Sequence, residues 1–303
     1  MSEIDLSVEV AGVRLANPTL LASGVSGESA ESLLSAIEAG AGGAVSKSIG
    51  LKPRRGYPEP TVVGLDSGTI NAVGLSNPGA ARFSRRLDSL KGNDAPIIVS
   101  VFGGSPAEFS KVVRTLDGKD FAGYELNLSC PHVKGVGTEV GHDPELVARV
   151  VKAVKSATDK PVFAKLSPNT ERILEVAKAA VDEGVDGITA INTVRAMMID
   201  VETQRPVLSH RTGGLSGSAI RPIALRCVYE LYGFGVPIMG VGGISRWDHA
   251  VQFLLAGASA VQVGTAATGN YGLFREIVEG IGGYIRRKGF RGVGEMTGLA
   301  HRG

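Results

Sequence analysis

The sequence predicts an α/β protein, a (β/α)8 TIM barrel with long loops after strands 2, 4 and 6. Three observations lead there. Eight short β-branched runs alternate with eight longer amphipathic stretches, the pattern of parallel strands joined by crossover helices. The strand runs are apolar at successive positions, as in a sheet covered on both faces. No Gly-x-Gly-x-x-Gly follows the first strand, which weakens the case for an open dinucleotide-binding sheet.

The units follow in order. A strand at 19–22 precedes a helix at 29–39, and a strand at 43–46 precedes a helix at 78–89. The strand at 96–101 leads to a helix at 106–116. The strand at 124–127 leads to a helix at 144–156, where Asp143 suits the N-cap and Pro144 the first helical position. Strands at 161–165, 187–191, 237–241 and 259–263 lead to helices at 170–183, 219–232, 245–256 and 273–287. Three helices end alike, in Glu38-Ala39-Gly40, Asp182-Glu183-Gly184 and Leu255-Ala256-Gly257, and each Gly suits a left-handed C-cap. Connections 49–77 and 195–218 are too long for linkers. In a barrel they lie on the C-terminal face, where loops build or cover a site. One barrel domain spanning 1–303 is expected.

Composition narrows the function. Gly is 42 of 303 residues, without a collagen period, and reads as many tight turns. The apolar share is 43% and the charged share 20%, as in a globular chain. A net charge of +2 offers no basic field for nucleic acid. Two cysteines, Cys130 and Cys227, exclude a disulfide framework and a cysteine-ligated zinc or iron–sulfur site within this chain. No metal site is expected. The start Met1-Ser2-Glu3-Ile4-Asp5 lacks the pattern of a signal peptide, and no apolar run approaches the roughly 18 residues that span a bilayer. A cytoplasmic protein with no membrane partner is expected.

The strand ends are polar: Ser23, Lys47, Asn127, Lys165, Asn192-Thr193, Gly242-Gly243 and Gly264-Thr265. Loops after strands 7 and 8 often form a phosphate site in such barrels. There Gly242-Gly243, with Ser245 starting the next helix, and Gly264-Thr265 supply amides and a hydroxyl for an anion. A single Gly-Gly would read as a tight turn; two such loops at these positions point to a phosphate. Lys47 and Lys165 each close an apolar run, where burial without an anionic partner is costly. Either alone is equally consistent with a lysine laid along the surface. Together on one mouth they read as anion binders. Cys130 leaves strand 4 and enters Gly135-Val136-Gly137, a segment able to act as a lid; its thiolate suits a base or a nucleophile, and a small buried apolar role is the competing reading. Cys227 falls within a helix and reads as core. His210, His249 and His301 show no metal-ligand spacing and read as surface residues. His132, two residues beyond Cys130, is within reach of a substrate there but gains no role from position.

In order along the chain stand Ser46-Lys47-Ser48, Asn71-Ala72-Val73-Gly74-Leu75 and Asn127-Leu128-Ser129-Cys130-Pro131, then Ala164-Lys165-Leu166-Ser167-Pro168-Asn169, Ile191-Asn192-Thr193, Gly213-Gly214-Leu215-Ser216-Gly217, Gly242-Gly243-Ile244 and Gly264-Thr265. Over nearly the whole length this set resembles the class 1 dihydroorotate dehydrogenases. The resemblance implies one FMN per chain, lying across the barrel mouth. Gly217, Gly242, Gly243, Gly264 and Thr265 would hold its phosphate. Lys165 would sit at its pyrimidine edge, and Ser23, Lys47, Ser48, Ser100, Asn127 and Ile191 would make further contacts. Lys47 would pair with the carboxylate of dihydroorotate, with Asn71, Ala72, Val73, Gly74, Leu75, Asn127, Asn192 and Thr193 around its ring.

The resemblance also implies the chemistry. Cys130 would take the C5 proton while FMN N5 accepts the C6 hydride, giving orotate for pyrimidine synthesis. Two positions depart from the family pattern: His132 and Ser100 each stand where Asn is usual. Val133-Lys134-Gly135 resembles class 1B, which passes electrons to NAD through a partner subunit carrying FAD and a [2Fe–2S] cluster. A homodimer at the core of a heterotetramer is expected. Two alternatives stay open on the residues alone: an FMN barrel acting on another dihydropyrimidine, and a flavin-free phosphate-binding aldolase or isomerase with Lys165 as a Schiff-base lysine.

Overall fold

The structure, a computed structural model, describes residues 4–24, 27–90, 96–129 and 140–302. Eight parallel strands close a barrel: β1 (Thr19–Leu21), β2 (Gly43–Val45), β3 (Ile97–Val101), β4 (Gly123–Asn127), β5 (Val162–Leu166), β6 (Gly187–Ala190), β7 (Ile238–Val241) and β8 (Ala260–Val263). They pair in chain order, and β8 returns to β1. Lys165 on β5 lies in register with Asn127 of β4 on one side and Thr189 of β6 on the other.

The helices between them are α1 (Ala30–Glu38), α2 (Ala80–Leu87), α3 (Pro106–Leu116), α4 (Pro144–Lys155), α5 (Ile173–Asp182), α6 (Arg221–Leu231), α7 (Trp247–Leu255) and α8 (Leu273–Lys288). Asp143 caps α4 by accepting from the amides of Glu145 and Leu146, with Pro144 at the first position. Gly40, Gly184 and Gly257 take φ of +113°, +82° and +116°. In each case the next amide reaches back five residues: Ala41 to Ala36, Val185 to Ala180 and Ala258 to Phe253, at 3.1, 3.1 and 2.9 Å. This one device turns three different helices into the following strand.

Four expected helix starts move by more than one residue: 78 to Ala80, 219 to Arg221, 170 to Ile173 and 245 to Trp247, the last two for visible reasons. The 170–183 helix begins at Ile173, because Thr170 Oγ1 accepts the Arg172 amide in a turn. The 245–256 helix begins at Trp247, because the Ser245 amide points at the His249 ring instead of opening the helix.

Two features were not anticipated. A hairpin of Val8–Val10 and Val13–Leu15 turns through Ala11 and Gly12, whose φ values are +51° and +80°. Its Val10, Val13 and Leu15 pack on Leu20, Val45, Ile98, Phe163 and Met239, so the hairpin plugs the N-terminal end of the barrel. The long connections also pair with each other. Val62–Leu65 and Gly68–Asn71 come from the loop after β2, and Val194–Met197 and Thr212–Ser216 from the loop after β6. Together they form a four-stranded antiparallel sheet at the opposite end, where Asn71 faces Gly214 in the register. No described helix is long and apolar enough to cross a membrane.

Candidate functional site

With one end plugged, the chemistry is left to the other. A cavity opens at the C-terminal ends of the strands. Of the residues expected to hold a cofactor, Ser23, Lys165, Ile191, Gly217, Gly242, Gly243, Gly264 and Thr265 line it; of those expected around a substrate, Asn71, Asn192 and Thr193 do.

Its glycine-rich side is suited to an anion. Gly217 and Gly243 have φ of +97° and +71°. They also pack face to face: a Cβ on Gly243 would stand 2.6 Å from the Gly217 carbonyl oxygen. The amides of Gly243, Gly264 and Thr265 donate to no acceptor among the described residues. Thr265 Oγ1 bonds Ser216 Oγ at 2.8 Å, and among the described residues no Asp or Glu lines the cavity. The donor set fits a phosphate. The helix beside these glycines is α6, whose first residue Arg221 touches Gly243, and not the helix after Ser245. Arg221 in turn lies against His249, 2.7 Å from Nε2. Burial, and then the Arg221 guanidinium, hold the His249 imidazole below its usual range. His249 is half-buried against Arg221, and His301 is half-buried in a stack with Tyr229 and Tyr232, whereas His210 is exposed and stacks on Tyr57.

Both lysines found the anionic partners that burial demands, and sequence reasoning named neither partner. Lys165 is 5% exposed, and its Nζ lies 3.1 Å from Glu125 Oε1. Glu125 is fully buried on β4, and its other oxygen accepts from Gln262 Nε2 at 2.8 Å. A single acid inside the apolar run Gly123–Asn127 was the available signal. Lys47 pairs with Glu28, and its Nζ also donates to Ser76 Oγ at 3.0 Å.

The floor between the lysines is a hydrogen-bonded chain of small polar groups. Asn192 Nδ2 donates to Asn127 Oδ1 at 3.1 Å, and Asn127 Nδ2 donates to Ser48 Oγ at 3.0 Å. Ser48 Oγ lies 2.9 Å from Ser100 Oγ and 3.5 Å from Ser23 Oγ. Of the expected cofactor residues, Lys47, Ser48, Ser100 and Asn127 do not line the cavity; Ser100 is fully buried and bonds Ser48, which is itself buried. Thr193 packs so close that a Cβ on Gly214 would fall 2.0 Å from its Oγ1.

The 71–75 segment borders this floor. Asn71 Nδ2 donates to the Gly214 carbonyl at 3.4 Å, and Ala72 is buried. The Val73 carbonyl accepts from the Tyr57 amide at 3.2 Å. Gly74 and Leu75 both have positive φ, +75° and +57°, and their amides donate to no acceptor among the described residues. A Leu in that region is strained, and here Asn77 Nδ2 holds its carbonyl at 2.9 Å.

Cys130, His132, Val133-Lys134-Gly135 and the Gly135-Val136-Gly137 segment lie outside the described residues. The Gly141 amide donates to the Leu128 carbonyl at 2.8 Å, so the chain leaves β4 and returns beside the same point of the mouth. Cys227 is buried in α6, and burial pushes its thiol up.

The fold and this polar mouth define a (β/α)8-barrel enzyme. The family model described as dihydroorotate dehydrogenase matches residues 5–285. The chain is 51% identical over 301 residues to the dihydroorotate dehydrogenase B (NAD(+)) catalytic subunit of Pyrococcus furiosus, covering 99% of this chain and 100% of that one. It is 46% identical over 299 residues to the protein of the same name from Methanosarcina mazei, covering 98% and 95%. The chain belongs to the dihydroorotate dehydrogenase family, and within it to the B-type catalytic subunits. It is an oxidoreductase, and the aldolase or isomerase reading of the same barrel loses its support.

Proposed function

We propose that this chain oxidises dihydroorotate to orotate with FMN held across the barrel mouth. The observation that carries the proposal is a cavity with a glycine-lined anion cradle, free of acids among the described residues, on one side and the buried Lys165 on the other. Gly217, Gly242, Gly243, Gly264 and Thr265 hold the phosphate through amides and a hydroxyl. Lys165 stands at the pyrimidine edge, where its fixed charge favours the reduced flavin. Ser23, Ser48 and Ile191 border the ring, with Ser100 behind Ser48. When bound, FMN supplies a hydride acceptor.

Dihydroorotate gives up a proton from C5 and a hydride from C6. Lys47 pairs with its carboxylate and exchanges Glu28 for it. Asn71, Asn127, Asn192 and Thr193 with the amides of Gly74 and Leu75 match the donors and acceptors of the ring and fix its face toward the flavin. Cys130 takes the C5 proton as its thiolate. Electrons pass on to NAD+ through a partner subunit with FAD and a [2Fe–2S] cluster, built around a homodimer of this chain. The name of the relatives, dihydroorotate dehydrogenase B (NAD(+)) catalytic subunit, supports that route. With two cysteines this chain cannot ligate such a cluster itself.

The test is product formation. FMN-loaded protein given dihydroorotate and an artificial electron acceptor makes orotate, and Cys130→Ala protein retains FMN but makes almost none near neutral pH. Absence of orotate from the loaded wild-type protein contradicts the reaction. Undiminished turnover by Cys130→Ala contradicts the base.

A further inference from the structure

A lysine at the edge of a flavin matters through its charge, and here that charge has a hidden counterweight. Glu125 is fully buried, on the strand next to Lys165. It spans the barrel interior, because Gln262, its second partner, lies on β8, four strands away in a ring of eight. The Gln262 amide presents its NH2 to Glu125 and leaves its own Oε1 without a hydrogen bond. Both carboxylate oxygens therefore accept, one from Lys165 and one from Gln262, as an ionised group requires. Below the three side chains the interior is apolar, filled by Ile98, Phe163 and Met239. Among the described residues the carboxylate has no other cationic partner. A buried ion pair adds little net stability over a well-packed apolar pair of the same volume, so packing alone does not account for it.

We infer that Glu125 is a positioning residue for the redox centre: its carboxylate fixes the Lys165 ammonium and sets how much positive charge the lysine presents to the flavin. The inference rests on the flavin reading above. Lys165 lines the cavity and Glu125 does not, so Glu125 acts only through the lysine. By drawing the Lys165 ammonium toward its own carboxylate, it lessens the positive charge the lysine presents to the reduced flavin and thereby holds the midpoint potential down.

The test is the two-electron midpoint potential of bound FMN, measured on the full-length chain. Glu125→Gln keeps the volume and a carbonyl acceptor but removes the charge. FMN stays bound, and the equilibrium shifts toward reduction by tenfold or more, a rise of about 30 mV or more. Lys165→Gln shifts it the other way. In that background Glu125→Gln changes the potential by far less than it does alone. Glu125→Asp, which keeps the charge but draws it back from the lysine, moves the potential upward by a smaller amount, and it is the variant to read should Glu125→Gln lose FMN. An unmoved potential in the variant that holds FMN overturns the inference, as does an equal shift with and without Lys165. Wild-type protein that binds no FMN defeats the flavin reading itself, a distinct result.

Discussion

Asn192 donates from Nδ2 to Asn127 Oδ1 at 3.1 Å, joining the ends of β6 and β4 over the top of β5. Asn127 also accepts the Ser129 amide at 3.3 Å and donates to Ser48. One amide thus ties three strand ends into a single polar floor beneath the proposed substrate. Asn127→Ala unmakes those bonds and leaves half-buried donors of Asn192 and Ser129 unpaired, at up to ~1–3 kcal/mol for each group. Orotate affinity, titrated through the visible band of bound flavin, falls tenfold or more while FMN stays in place. Wild-type affinity in that variant would show that the floor does not read the substrate.

Lys47 makes a second prediction. Its ammonium is held by Glu28 and Ser76, two groups a substrate carboxylate can replace or join. A charge-assisted pair contributes ~1.5–3 kcal/mol, so Lys47→Ala weakens orotate binding by about tenfold to a hundredfold. Raising ionic strength weakens wild-type binding more than it weakens the variant. Equal salt dependence in both proteins would remove Lys47 from the carboxylate.

Gly243 is constrained twice, by its φ of +71° and by the Gly217 carbonyl that a Cβ would meet at 2.6 Å. Gly243→Ala must push Gly217 or Arg221 aside, and both border the cradle. The variant loses FMN on gel filtration while its thermal transition remains cooperative. Full retention of FMN would place the phosphate elsewhere.

The pH dependence of stability includes a contribution from His249. Its imidazole is held below the ordinary range near 6.5. Between the folded and unfolded values the unfolded chain binds more protons, so stability rises with pH there. The contribution is whole above about 6.5, where His249 is neutral in both states, and is lost as pH falls toward the folded value. Melting temperature therefore drops on acidification from pH 7.5 to 5.5, and His249→Gln makes that drop shallower. An unchanged slope would mean that other groups carry it.

The barrel was legible because its signals are local. Runs such as Ile97–Val101 and Val162–Leu166 announce buried strands, and the glycines at 40, 184 and 257 announce helix ends. The cover sheet was not legible, since Thr212–Ser216 reads Thr-Gly-Gly-Leu-Ser, a poor strand by composition. It becomes a strand only by pairing with Gly68–Asn71, about 145 residues earlier in the chain, which no local pattern reveals. The cavity lining was legible in motifs, but its supporting groups were not. Glu125 and Gln262 gain meaning from what they face across the barrel, and Glu28 from the Lys47 it meets on the next loop.

The most direct measurement is the visible spectrum of the purified, FMN-loaded chain before and after dihydroorotate is added without oxygen. The account predicts a yellow protein whose flavin band bleaches, with orotate recovered from the same sample. A yellow protein that stays yellow, or a chain that refuses FMN, would contradict it.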